Sequence, residues 1–78
     1  MNEIILYKRA ACPLCDEVEI WIELLKEDYI LEYREQDIES DDRLHEKYAL
    51  EIPVVFVNGE KLVFPQLSEV EIRERLHG

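Results

Sequence analysis

Cysteine is scarce in this chain, and so is positive charge. Only Cys12 and Cys15 occur among 78 residues, so any disulfide or thiolate chemistry reduces to that one pair. Lys and Arg number 9 against 19 Asp and Glu, a net formal charge of −10. A field of that sign repels nucleic acid and anionic lipid, which disfavours DNA or RNA binding. No apolar run is long enough to span a bilayer, and with 36% of residues charged no membrane role is expected. Repeats, low-complexity tracts and linkers are also missing. What is present, 47% hydrophobic residues, is too much for a disordered chain and enough for one small core, so one domain over residues 1–78 is expected. The opening Met1-Asn2-Glu3, followed by three aliphatics, lacks the basic flank and longer apolar segment of a secretory signal, so a cytoplasmic protein is expected. In a reducing compartment a solitary cysteine pair is better explained as catalytic, redox-sensing or metal-binding than as a permanent staple.

The apolar pattern alternates between strand and helix. Glu3 to Tyr7 is short, β-branched and almost wholly apolar, as in a strand covered on both faces at the centre of a sheet. After the loop Lys8-Arg9-Ala10-Ala11, the residues Leu14, Val18, Trp21, Ile22 and Leu25 recur at helical spacing from Pro13 to about Glu27. Pro13 suits a first helical position, where its missing N–H costs nothing. Tyr29 to Arg34 predicts a second strand with Leu31 and Tyr33 on one face, completing a βαβ unit whose strands are parallel. Ser40 or Asp41 caps a short second helix that is expected to turn Leu44, Tyr48 and Leu50 inward. In "EIPVVFVNGEKLVF", residues 51 to 64, two β-rich runs flank Asn58-Gly59, the pair that favours a two-residue hairpin turn. Ser68 and Glu71 form a capping box, with Leu67 and Ile72 as its hydrophobic staple. A closing helix follows with Val70, Ile72 and Leu76 inward. The resulting order is β-α-β-α-β-β-α.

Cys12 and Cys15 fall at the start of the first helix. A sulfur at that position meets the positive end of the helix dipole and free backbone N–H groups, so its thiolate is stabilised. Cys15 lies one turn further on, within reach of a disulfide. Cys12 is therefore the expected nucleophile, and Cys15 the more buried resolving thiol. Lys8 and Arg9 add positive charge nearby, while Asp16 and Glu17 oppose thiolate formation. Two other readings of the pair stay open. A zinc site needs four convergent ligands, and His45 and His77 fall on other helices, His45 as a solvated surface residue. An inert pair of small core residues is the other. A C-x-x-C inside a βαβ pattern favours redox chemistry over both. Trp21 and Phe56 are in phase with apolar neighbours and read as core anchors.

The segments "ILYKRAACPLCDE", "YREQDIESD" and "EIPVVFVNGEKL" resemble glutaredoxin-like members of the thioredoxin superfamily over nearly the whole chain. The resemblance rests on C-P-L-C after the first strand and Ile52-Pro53 before the third. It implies an α/β protein with a minimal thioredoxin (glutaredoxin-like) fold, a mixed four-stranded sheet flanked by three helices. It also implies that Pro53 is cis beside the cysteine pair and that Ile52 offers its backbone to glutathione or a peptide, much like an added strand. A proline opening a strand, unable to donate to the ladder, leaves such an edge free, although it also fits a plain strand start. Arg9 falls where the family carries a lysine for a glutathione carboxylate. Pro13 and Leu14 replace the family's tyrosine with an apolar rim, which Pro53 and Phe64-Pro65 extend into a groove around the sulfurs. The chain departs from the family at Glu51-Ile52, where Thr-Val is usual. Phe64-Pro65-Gln66-Leu67-Ser68-Glu69 stands in place of the Gly-Gly pair and polar-Asp helix start that grip glutathione. Glu51 and Glu69 are expected to repel that anionic tripeptide. The Trp-Cys-Gly-Pro-Cys of thioredoxin itself is absent.

The function implied is a small thiol–disulfide oxidoreductase with Cys12 and Cys15 catalytic and Arg9, Pro13, Leu14, Ile52 and Pro53 contacting substrate. Its partners are a disulfide-containing protein or a glutathione mixed disulfide, with glutathione or a reductase as electron source. No tightly bound cofactor and no metal are expected. A redox-inactive adaptor that uses the groove or the acidic face to hold a protein partner is the alternative. The last strand, Glu60 to Val63, is an edge guarded by Glu60 and Lys61, which favours a monomer.

Overall fold

The computed structural model describes residues 1–78. Its elements run β1 (Asn2–Lys8), α1 (Pro13–Leu25), β2 (Leu31–Asp37), a 3₁₀ turn (Ile38–Ser40), α2 (Asp42–Tyr48), β3 (Val54–Val57), β4 (Glu60–Leu62) and α3 (Glu69–Glu74). Apart from the 3₁₀ turn, the order matches the sequence expectation. The four strands form one sheet in the order β2-β1-β3-β4. β1 pairs parallel to β2 and antiparallel to β3, and β3 pairs antiparallel to β4.

The alternation of side chains in β1 divides the molecule into layers. Ile4 and Leu6 face α1 and α3, where they join Val18, Ile22, Leu25, Val55, Val57, Leu62, Leu67 and Ile72 in the main core. On the opposite face Tyr7 and Phe56 pack against a smaller cluster of Ile38, Tyr48 and Val54 under α2. Each fully buried aliphatic side chain contributes about 1.5–3 kcal/mol, so the ten-residue cluster dominates the stability.

Local signals place the turns and caps. Asn58 (φ 49°) and Gly59 (φ 89°) both take the left-handed backbone that a two-residue hairpin turn requires. Asp41 caps α2 by accepting from the Arg43 N–H at 2.8 Å. Ser68 Oγ accepts from the Glu71 N–H at 3.1 Å. The Glu71 carboxylate pairs with Arg75 at 2.7 Å instead of reaching back to Ser68, so only half of the capping box forms.

Four expectations are corrected. β2 spans Leu31–Asp37, because it follows β1 in register from Asn2↔Leu31 to Lys8↔Asp37; Tyr29 belongs to the turn closing α1, its N–H bonded to the Leu25 carbonyl. α1 itself stops at Leu25, short of Glu27. Leu50 is fully exposed, since α2 ends at Tyr48, whose carbonyl accepts from both Glu51 and Ile52 and reverses the chain. Val70 is exposed as well, lying two positions from the buried Ile72 and hence on the far side of α3.

Asn2 is the one buried polar side chain. Its Oδ1 accepts from the His77 N–H (2.8 Å) and from Asn58 Nδ2 (3.1 Å), and its Nδ2 donates to the His77 carbonyl (2.8 Å). It thus ties the start of β1 to the hairpin turn and to the segment after α3. Asn2→Ala removes all three hydrogen bonds, whose other partners, Asn58 and His77, are exposed, and is expected to lower stability by about 1 kcal/mol, measured by urea unfolding.

Candidate active site

One end of the sheet gathers the residues that the sequence singled out. β1 leaves the sheet at Lys8, and the chain reaches α1 through Arg9, Ala10, Ala11 and Cys12. Because Tyr7 is opposite Val54 in the antiparallel ladder, the next position on each strand sets Pro53 beside Lys8 at this same end. Val55 opposite Leu62 likewise brings Phe64-Pro65 to the end where Pro53 lies. Both X-Pro bonds, Ile52-Pro53 and Phe64-Pro65, are cis; the second had no sequence counterpart.

Cys12 is the N-cap of α1 and Pro13 its first residue. Cys12 Sγ accepts from the Cys15 N–H at 3.2 Å, satisfying one of the free donors at the helix start. The two sulfurs are joined as a disulfide across a Cα–Cα distance of 5.2 Å. Exposure separates them: Cys15 is 1% exposed within the inward face of α1, whereas Cys12 is half-buried at its tip. Ala11, immediately before Cys12, has φ 55°, a left-handed conformation that costs a non-glycine residue roughly 1–2 kcal/mol and aims the chain into the cap. Nothing in the sequence signals it.

The proposed substrate contacts divide. Pro13 and Leu14 are exposed on the first turn of α1. Arg9 is exposed and makes no ion pair. Pro53 is buried and Ile52 half-buried. The Ile52 N–H donates to the Tyr48 carbonyl at 3.1 Å, while the Ile52 carbonyl has no partner within the chain. Of the Ile52 backbone groups, the carbonyl alone is left without a partner in the chain. Phe64 packs on Trp21 with ring centroids 6.4 Å apart, forming an apolar wall below α1. Glu51 is balanced by Lys61 at 3.0 Å and Glu69 by Arg73 at 3.0 Å, so the repulsion expected from these two acids is locally offset. No group of three or more His, Cys, Asp or Glu side chains is arranged to hold a metal ion. A cavity of about 370 Å³ lies at the other end of β1, lined by Met1, Asn2, Ile30 and His77 among others, and holds none of these residues.

Lys8 is not a free charge beside the sulfurs. It ends β1 on the same face as Ile4 and Leu6, and its Nζ contacts Glu19 of α1 at 2.8 Å and Glu35 of β2 at 3.2 Å. Tyr33 donates to Glu35 at 2.8 Å. Glu19 raises the Lys8 pKa above the ordinary lysine value, with Glu35 adding to it. The two carboxyls are shifted in opposite directions. The Glu35 carboxylate raises Glu19 above the usual range, and Glu35 falls below it through its hydrogen bonds with Glu19, Tyr33 and Lys8. Burial, then Glu35, pushes the Tyr33 phenol well up. The signal for this network was present as Lys8 in phase with Ile4 and Leu6, and Glu19 one turn beyond Cys15, but which strand supplied Glu35 required the register.

Residues 3–77 match the family described as "Glutaredoxin-like domain (DUF836)". Among solved structures, a structural-genomics target protein from X. campestris is 25% identical, with a TM-score of 0.75 and 91% of each chain covered. Protein Ne2328 from Nitrosomonas europaea is 23% identical at a TM-score of 0.78, covering 97% of this chain and 92% of that one. Thioredoxin O2 from Arabidopsis thaliana, in its oxidized state, shares the fold at 15% identity and a TM-score of 0.68, over 95% of this chain and 70% of its own. The architecture is thus the thioredoxin fold, with a mixed four-stranded sheet and three helices.

Lys8 separates two carboxylates, so Lys8→Met leaves them facing each other. The repulsion between the ionised carboxylates costs stability; as pH falls through the raised pKa of Glu19 that group takes up a proton and the cost disappears. These side chains are 26–38% exposed, so solvent screening limits the loss to about 1 kcal/mol near neutral pH, and the loss shrinks as the solution is acidified in urea unfolding.

Proposed function

The chain belongs to the glutaredoxin-like domain family, and on that premise we propose that it is a small thiol–disulfide oxidoreductase working through Cys12 and Cys15. The observation that carries this reading is the asymmetry of the pair. Cys12 Sγ, at the tip of α1, takes a hydrogen bond from the Cys15 amide at 3.2 Å, while Cys15 is 1% exposed behind it. The helix dipole and that amide favour a thiolate at Cys12.

In the reducing direction, the Cys12 thiolate attacks one sulfur of a substrate disulfide, and the other sulfur leaves as a thiolate that takes up a proton. Cys15 loses its proton and attacks Cys12 Sγ in the mixed disulfide. The Cys12–Cys15 disulfide forms and the second substrate thiol is released, so two electrons pass from the dithiol to the substrate. The bridged state seen here is the product of that half-cycle. A substrate chain lying along Ile52 donates an N–H to its free carbonyl, and Pro13, Leu14 and Phe64 supply apolar contact. The unpaired Arg9 suits a substrate carboxylate, such as one of glutathione, and the balancing of Glu51 and Glu69 lowers the electrostatic cost of that ligand. Glutathione and a thiol–disulfide reductase are both compatible electron donors, each returning two electrons to the Cys12–Cys15 disulfide, and the fold needs no tightly bound cofactor of its own for either. A cytoplasmic setting fits a pair that cycles.

Reduction of a small mixed disulfide is expected to vanish in Cys12→Ser. In Cys15→Ser it is retained only where glutathione itself resolves the mixed disulfide. Running each variant once with glutathione and its reductase and once with thioredoxin reductase identifies the electron donor. A folded wild type with both thiols free and no turnover from either source would overturn the proposal in favour of a redox-inactive binding module. Separately, the pH profile of iodoacetamide alkylation should place Cys12 ionisation below the free-thiol value of about 8.5; an adaptor has no need of that shift.

A further inference from the structure

Helix α1 has two apolar faces, and the core explains only one of them. Cys15, Val18, Ile22 and Leu25 are buried. On the outside, Leu14 is 48% exposed, Ile20 61% and Leu24 48%, with the half-buried Trp21 between them. Steps of three and four residues, from Leu14 through Glu17 to Ile20 and Trp21 and on to Leu24, make these side chains one continuous stripe. It begins on the turn that bears Cys12 and runs roughly 15 Å along the helix.

Carboxylates without a cationic partner occur on several parts of the surface, Glu32, Asp42, Glu46 and Glu74 among them, but along this stripe they lie against exposed aliphatic side chains. Glu3, Glu19, Glu35, Glu51, Glu60, Glu69 and Glu71 all have Lys or Arg partners. Glu17, in the middle of the stripe, has none, nor do Asp16 and Glu27 along its border. An apolar ridge set with unpaired carboxylates complements a surface that is apolar and basic.

We propose that this face of α1 docks the protein that exchanges disulfides with Cys12, and that the partner presents aliphatic side chains with Lys or Arg placed to meet Glu17 and Asp16. The proposal rests on the oxidoreductase reading, since the stripe is continuous with that site. The stripe is longer than a tripeptide lying at the sulfurs needs. A second copy of the chain is disfavoured, because a two-fold contact through the stripe turns Glu17 and Asp16 against acids of the same face. The same carboxylates repel an anionic lipid surface.

The test is fluorescence anisotropy with a labelled 18-residue amphipathic helical peptide carrying Leu on one face and Lys on the other. A peptide with Glu in place of Lys serves as control. Wild-type protein is expected to bind the Lys peptide and not the Glu peptide. Ile20→Gln/Leu24→Gln, which keeps good helix formers at both exposed positions, should weaken binding by roughly tenfold through lost aliphatic burial. Glu17→Gln should weaken it several-fold, and Leu50→Gln, exposed elsewhere, should leave it unchanged. Turnover of a small mixed disulfide should be the same in the double variant as in the wild type, so loss of turnover in the wild type would report failure of the redox reading while binding still reports on docking. Equal affinity of the double variant and wild type for the Lys peptide would overturn the proposal. So would a dimer in sedimentation analysis that the double variant abolishes.

Discussion

The pairing of β1 on both of its edges is the constraint from which the site follows. Its parallel ladder to β2 forces the connection through α1 to cross one face of the sheet, which sets the α1 N-terminus, and with it Cys12, just beyond the end of β1. Its antiparallel ladder to β3 runs Pro53 back to that same end. Neither segment carries the site alone: the cysteine turn supplies the sulfurs, and the approach to β3 supplies the free Ile52 carbonyl beside which an extended substrate can lie. The aliphatic core under α1, with Ile4, Leu6, Val18 and Ile22 fully buried, holds both in place.

Charge is distributed with the same economy. An excess of acids spread over a small surface repels itself, and about half of these acids are matched locally by the few cations available. Lys8 is drawn between Glu19 and Glu35, Lys61 takes Glu51, and Arg75 bridges Glu60 and Glu71. Arg9 is left unpaired next to the cysteine turn, and Asp16, Glu17 and Glu27 are left unpaired along α1. Asp16 and Glu17 thus add negative charge beside the cysteine turn, next to the apolar ridge of α1. Such an arrangement selects partners by charge and shape more than by any single strong bond.

The differences between expectation and structure have local physical causes. Leu50 and Val70 looked inward because each falls near an apolar periodicity, but periodicity holds only while the helix lasts. α2 ends two residues before Leu50, and α3 is so short that Ile72 is its one buried residue, with the half-buried Leu76 following just after it. β2 extends through the polar Glu35, Gln36 and Asp37, which no propensity favours, because its partner strand offers hydrogen bonds as far as Lys8. Glu51 and Glu69 looked repulsive because ion-pair partners on other elements, or one turn along a helix, are not visible as such in a linear reading.

What the sequence determined by itself are the features whose physics is local. A cysteine followed by proline at a helix start, a resolving cysteine three residues on, Asn-Gly between two β-rich runs, and Ser68 ahead of an apolar face all act within a few residues, through dipole, φ preference and capping. What only the tertiary structure decided depends on register and distance. The burial of Asn2 against His77, the Lys8–Glu19–Glu35 network and the occupied N–H of Ile52 join positions brought together by the sheet or by the reversal after α2. The uncovered stripe on α1 belongs here too, since packing leaves Leu14, Ile20 and Leu24 facing solvent while Val18, Ile22 and Leu25 enter the core.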